Sequence, residues 1–170
     1  MDWVPIEQVQ YWTTDKKFGV KLNPKALREL LRHAQSAGTL ETGGIAMGRY
    51  SECHTYATVD LFTGPPPDSQ HGPMTFLRGT SGLQRLVAKL WRSERRYYLG
   101  EWHYHPHASA QPSGTDLSQM KTIANDEKYA TPEPLLFIVG GDPNSEWELR
   151  VYLAFRNRDQ LEPMNQRTSG

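Results

Sequence analysis

The chain has 170 residues, enough for one domain with a sizeable core, and its nineteen basic and nineteen acidic side chains leave no net field to attract nucleic acid or an anionic membrane. A single cysteine, Cys53, excludes an intramolecular disulfide and a four-cysteine zinc site. The opening Met1-Asp2-Trp3-Val4-Pro5 lacks the charged-then-apolar pattern of a leader, and no apolar run reaches the roughly 20 residues of a membrane helix, so a soluble cytoplasmic protein is expected.

Phe18-Gly19-Val20-Lys21-Leu22 alternates as a short strand. Asn23-Pro24 then reads as an N-cap with proline in the first helical turn, and Leu27, Leu30, Leu31 and Ala34 follow at helical spacing up to a stop at Gly38. Residues 43–50 and 55–62 read as two antiparallel strands of a meander. The proline and glycine content from Gly64 to Pro73 predicts a loop. Thr80 or Ser81 is expected to cap a second helix with an apolar stripe of Leu83, Leu86, Val87, Leu90 and Trp91, while Arg92, Arg95 and Arg96 read as a solvated cluster. Tyr97 to His103 is a predicted strand, followed by a loop to Gly114, a third helix over 115–125, and strands over 135–139 and 146–155.

The polar run from Asn157 is expected to fray. Helices mixed with antiparallel strands imply an α+β fold, one domain over 1–156 and a polar tail over 157–170. Trp91, Tyr97, Tyr98 and Trp102 are expected in the core, and Cys53 as a small buried or half-buried hydrophobe.

Chemistry concentrates in Glu101-Trp102-His103-Tyr104-His105-Pro106 and Ser113-Gly114-Thr115-Asp116. On a strand, alternate side chains share a face, so His103 and His105 project together while Trp102 and Tyr104 point into packing. The loop beyond Pro106 is long enough to return Asp116 as a third, oxygen ligand. Two histidines and a carboxylate leave one position of a zinc tetrahedron open to water, the arrangement of catalytic rather than structural sites. Ser113 could donate to a developing oxyanion. Glu101 shares the face of His103 and is a rival carboxylate, read as structural, while His71 and His107 read as solvated or substrate-contacting loop residues.

Glu41, His103, His105, Ser113 and Asp116 together resemble the JAMM motif of the JAB/MPN metalloprotease family: an early glutamate, His-x-His-Pro, a serine separated from the second histidine by seven residues with the proline among the seven, and an aspartate three further on. Tyr104 stands where serine or threonine is common. The likeness runs from about Val20 to Phe155 and implies a single MPN/JAB-like domain with a curved, mixed, mostly antiparallel sheet flanked by helices. It implies Zn2+ held by His103, His105 and Asp116, with Glu41 as general base and Ser113 as oxyanion donor.

The activity so implied is hydrolysis of the amide at the C-terminal tail of a ubiquitin-like or otherwise conjugated protein. The stretch from Gly64 to Phe76 resembles bacterial members linked to ubiquitin-like conjugation. In the anti-phage systems called CBASS, such a protein accompanies E1-like and E2-like partners and releases a conjugated nucleotidyltransferase. Two other functions stand beside this one: a peptidase trimming a sulfur-carrier protein, and a non-catalytic MPN scaffold. Scaffolds typically lack part of the ligand set, which here is complete.

Overall fold

The computed structural model describes residues 8–167. In chain order these form β1 (Val9–Trp12), β2 (Gly19–Leu22), α1 (Pro24–Ala37), β3 (Thr42–Tyr50), β4 (Tyr56–Phe62), β5 (Gln70–His71), β6 (Phe76–Leu77) and α2 (Leu83–Glu94). Next come β7 (Tyr97–Pro106), α3 (Gly114–Asn125), a 3-10 turn at Glu127–Tyr129, β8 (Leu135–Gly141), β9 (Trp147–Leu153), β10 (Glu162–Pro163) and β11 (Asn165–Arg167). The fold is α+β, with a curved, mostly antiparallel sheet of nine strands in the order β10-β9-β8-β7-β3-β4-β2-β1-β11. Only β7 with β8 and β2 with β4 run parallel.

Local chemistry explains the elements. Asn23 caps α1 by accepting from the Lys25 N–H at 2.9 Å, and Pro24 opens the helix where a missing N–H costs nothing. Ala26, Leu27, Leu30 and Ala34 of α1 are buried against one face of the sheet, with Val20, Val59, Phe62, Trp102, Tyr104 and Phe137. The opposite face holds Ile45, Met47, Leu136 and Ile138 against Leu90 of α2 and Met120 and Ile123 of α3. Each fully buried apolar side chain of this size contributes about 1.5–3 kcal/mol. β7 lies between these two cores, pairing antiparallel with β3 and parallel with β8. None of the described helices is long and apolar enough to cross a membrane.

Four expectations are corrected. The polar tail does not fray: Glu162–Pro163 pairs with β9 and Asn165–Arg167 with β1, because backbone pairing asks nothing of the exposed side chains. Residues 168–170 of that tail lie outside the described part. Thr80 and Ser81 do not cap α2. Their N–H groups go to the Asp68 carboxylate, at 3.1 and 3.0 Å, and the cap position falls to Gly82 in a left-handed conformation. The segment expected as loop closes in a short β5–β6 hairpin. Finally, Tyr98 and Trp102 are buried, but Trp91 and Tyr97 lie about two-fifths exposed in mutual contact, and Cys53 is exposed on the β3–β4 turn.

The curvature brings the sheet's edges together. Tyr11 of β1 donates its hydroxyl to the Leu149 carbonyl of β9 at 3.0 Å, and the buried Met164 alone separates β10 from β11. A frayed tail would contribute nothing to stability. Instead, Met164→Ala should cost about 2–5 kcal/mol in urea unfolding, the usual range for truncating a buried methionine.

Candidate metal centre

Alternation along β7 places Glu101, His103 and His105 on the α3 side of the sheet and Trp102 and Tyr104 on the α1 side. Trp102 donates its indole N–H to the Thr63 carbonyl at 2.8 Å and stacks on His33; Tyr104 is almost fully buried. Tyr104 therefore serves packing on the face away from the histidines. Antiparallel pairing sets Thr42 opposite Tyr104 and Gly43 opposite His103. One residue further back, Glu41 comes alongside His105 on the histidine face. Gly43 must be glycine for the pieces to meet: a Cβ there would lie 2.3 Å from the Trp102 carbonyl oxygen and 2.9 Å from the His103 ring.

Asp116 arrives from α3 through a capping box. The Ser113 hydroxyl accepts from the Asp116 N–H at 3.1 Å, and Asp116 Oδ2 accepts from the Ser113 N–H at 2.8 Å. Ligand-type atoms of His103, His105 and Asp116 lie within 4.8 Å of one another, all three residues buried. His103 Nδ1 lies 2.6 Å from Asp116 Oδ1, and His105 Nδ1 lies 3.3 Å from the Ser109 carbonyl oxygen. Both partners accept, so a proton on each Nδ1 is satisfied there and leaves each Nε2 its lone pair. Those two Nε2 atoms are buried without a hydrogen-bond partner.

Orphaned, buried lone pairs beside a carboxylate fit a divalent cation. His105 Nε2 and Asp116 Oδ2 are 3.2 Å apart, close to the roughly 3.3 Å edge of a tetrahedron with bonds of about 2.0–2.1 Å. Burial opposes the Asp116 charge, yet contacts with His103 and His105 outweigh it and hold the carboxyl well below the usual range. Burial also opposes a charged His105, and the Asp116 carboxylate overcomes this, raising its pKa.

The two rival glutamates differ sharply. Half-buried Glu41 has its pKa raised by burial, with the nearby His105 partly offsetting the effect. Glu101 is fully buried, and both of its oxygens are engaged: one by the Arg78 guanidinium, the other by the Tyr98 hydroxyl at 2.5 Å. Arg78 also donates to the Gly79 carbonyl and to the Tyr129 hydroxyl, each at 2.8 Å. Glu101 is therefore structural, as its sequence context suggests, and Arg78 is its partner.

Residues with no sequence signal hold the loop that carries Ser109. The Ala110 N–H donates to Glu148 Oε1 at 2.8 Å, and its carbonyl accepts from the Tyr152 hydroxyl at 2.9 Å. Gly140 lies directly beneath, where a Cβ would meet the Ala108 oxygen and the Ala110 nitrogen at 2.6 Å. His71 and His107 are exposed and stand outside the three-residue cluster; His33 and His54 pack elsewhere, on Trp102 and Tyr50.

A model of prokaryotic homologs of the JAB domain matches residues 23–152. The chain is 36% identical over 151 residues to a CD-NTase/cGAS isopeptidase of Enterobacter hormaechei subsp. hoffmannii, covering 89% of this chain and 83% of the relative. It is 28% identical over 119 residues to a probable metalloprotease of Sinorhizobium fredii, covering 68% of this chain and 72% of the relative. A solution structure of a Desulfitobacterium hafniense protein shares the fold with a TM-score of 0.62 at 22% identity, over 86% of this chain and 90% of that one.

The different settings of the glutamates give opposite expectations for one substitution. Glu101→Gln leaves a buried guanidinium without its counter-charge and should cost about 3–5 kcal/mol in urea unfolding. Glu41→Gln replaces a carboxylate whose charged form is disfavoured by burial, so stability at neutral pH should hold or rise slightly.

Proposed function

Because the chain belongs to the JAB-domain family, among its prokaryotic homologs, we propose that it is a zinc-dependent isopeptidase acting on the C-terminal tail of a ubiquitin-like or otherwise conjugated protein. The observation that carries this reading is the pair of orphaned, buried Nε2 atoms of His103 and His105 facing Asp116, with the half-buried Glu41 alongside.

In this reading His103, His105 and Asp116 hold the zinc ion. Zinc, when bound, acidifies the attacking water and polarises the scissile carbonyl. Glu41 takes a proton from the water as its oxygen bonds to the carbonyl carbon. The same carboxyl returns that proton to the amine nitrogen as the carbon–nitrogen bond breaks. Burial raises its pKa, which makes the carboxylate a stronger base for the first transfer. The Ser113 hydroxyl already accepts from the Asp116 N–H, so its own hydrogen remains to donate to the developing oxyanion. The capping box thus supports two roles from adjoining groups: Asp116 as ligand and Ser113 as donor.

An extended tail suits such a site, because backbone pairing binds it without demanding many side-chain contacts. The segment from Gly64 to Thr75 and the loop from His107 to Pro112 flank the tail. The name of the Enterobacter hormaechei relative, a CD-NTase/cGAS isopeptidase, supports a conjugated nucleotidyltransferase as the modified protein; the anti-phage setting is part of our proposal. E1-like and E2-like partners encoded nearby would supply the conjugate in the cytoplasm.

The test incubates the zinc-loaded chain with a nucleotidyltransferase conjugate assembled from neighbouring gene products. Release of both proteins by the native chain, but not by Glu41→Ala, is expected. Glu41→Ala should retain one zinc per chain by elemental analysis while turnover falls by roughly 10²–10⁴-fold. Persistence of near-normal turnover in this variant would assign the base elsewhere. Ser113→Ala should keep zinc, lose about 1 kcal/mol of stability with the cap, and lower turnover by roughly 10²-fold or more.

A further inference from the structure

The short hairpin formed by β5 and β6 touches the site at three points. Its polypeptide leaves the sheet after Thr63 and returns at α2, and its base is closed by Asp68, which accepts from the Thr80 and Ser81 N–H groups at 3.1 and 3.0 Å. Beyond that closure Arg78 is buried against Glu101, two residues before His103 on the same strand face. Phe76, 5% exposed, sets its ring against His103 with centroids 5.6 Å apart and an interplanar angle of 79°. At the far end of the hairpin, the Glu41 N–H donates to the Gly72 carbonyl at 2.8 Å, and His71 Nδ1 lies 2.9 Å from the Glu41 carbonyl oxygen. The carbonyl can only accept, so His71 is the donor. Both backbone polar groups of Glu41 are therefore held by two consecutive hairpin residues. The His71 ring rests in turn on Phe76, with centroids 5.2 Å apart.

We propose that His71 is a positioning residue for Glu41: its donated hydrogen bond, with that accepted by Gly72, latches the hairpin onto the glutamate's backbone and fixes where its carboxyl lies relative to the metal ligands. Glu41 sits immediately before β3, outside the regular β3–β7 pairing that ends at Thr42. Without the latch, nothing else in the backbone hydrogen bonding of the described residues holds its peptide groups. The rotation of that peptide sets the direction of the side chain, so a loosened latch lets the carboxyl swing away without disturbing the metal ligands. Arg78 and Phe76 give the latch its stiffness by fixing the other end of the hairpin in the core.

This inference rests on the isopeptidase reading for its kinetic part only. Three variants separate the explanations: His71→Ala removes the donor, His71→Asn places an amide N–H close to where Nδ1 stood, and His71→Asp places an acceptor there. In the zinc-loaded chain acting on the conjugate, His71→Ala and His71→Asp should lower kcat by about 3–10-fold, the worth of one hydrogen bond, with KM unchanged. His71→Asn should recover most of that loss. All three should retain zinc. Hydrogen exchange followed by NMR should show the Glu41 amide fully protected in the native chain and in His71→Asn, and measurably less protected in His71→Ala and His71→Asp, where only its bond to the Gly72 carbonyl remains.

A rise in KM with kcat unchanged would overturn the proposal, since it would make His71 a substrate contact. Loss of zinc would overturn it by making His71 part of the metal site. Equal behaviour of Asn and Asp, or unchanged Glu41 protection in His71→Ala, would also overturn it. If the native chain cleaves no conjugate, the isopeptidase reading fails, and the amide exchange still decides whether the latch exists.

Discussion

A strand sends successive side chains to opposite faces, and in β7 that rule separates two incompatible kinds of residue. Trp102 and Tyr104 go to a dry core under α1, while Glu101, His103 and His105 go to the other face, equally buried. Buried polar groups are costly unless each finds a partner, so β7 imposes a set of demands on the rest of the chain. A different element meets each one. Arg78, directly after β6, answers Glu101; Asp116, in the first turn of α3, answers His103; and the Ser109 carbonyl, in the loop before α3, answers His105. The two nitrogens left over face one another's surroundings at the point where these elements converge.

The same constraint sorts the acids. Glu101 carries an ionised partner in a site closed to water, an arrangement that contributes little net stability yet is expensive to break. Its value lies in fixing the position of Arg78, and with it the start of α2 and the base of the hairpin. Glu41 sits in a half-buried place where burial outweighs the favourable pull of His105, so its charge is disfavoured and its proton affinity raised. Burial raises the pKa of both glutamates, but their neighbours differ: Glu101 is tied by Arg78 and Tyr98, while Glu41 stands beside His105 and Asp116.

Much of this was legible in the sequence, and particular residues show why. Alternation in Trp-His-Tyr-His states which side chains share a face, and Asn23-Pro24 states where a helix begins, because both signals are local. The spacing from Glu41 to Asp116 is legible as a resemblance rather than as geometry, since nothing local says that residue 41 lies beside residue 105. Arg78 gave no sign of its partner: a buried ion pair across 23 positions depends on the fold being closed first. The latch of His71 on Glu41 is hidden for a related reason, as it runs to a backbone carbonyl and carries no side-chain pairing pattern. The tail strands were invisible too. Asn165–Arg167 is polar and exposed throughout, so its strand character resides in its partner's unpaired backbone and not in its own residues.

Those tail strands bear on how the molecule behaves among other proteins. Open edges of a large sheet are templates on which any extended segment can nucleate, and the hazard grows with the length and flatness of the edge. Here β9 and β1 would be such edges, and a single short passage of chain covers both: Glu162–Pro163 on one, Asn165–Arg167 on the other. The strands left outermost are only two and three residues long, and one includes a proline, which cannot donate to a further neighbour. A self-complementary stack of copies therefore finds almost no backbone to grow from. Cutting or extending the chain near Met164 would uncover two templates at once, so aggregation rather than loss of chemistry would be the first symptom of damage there.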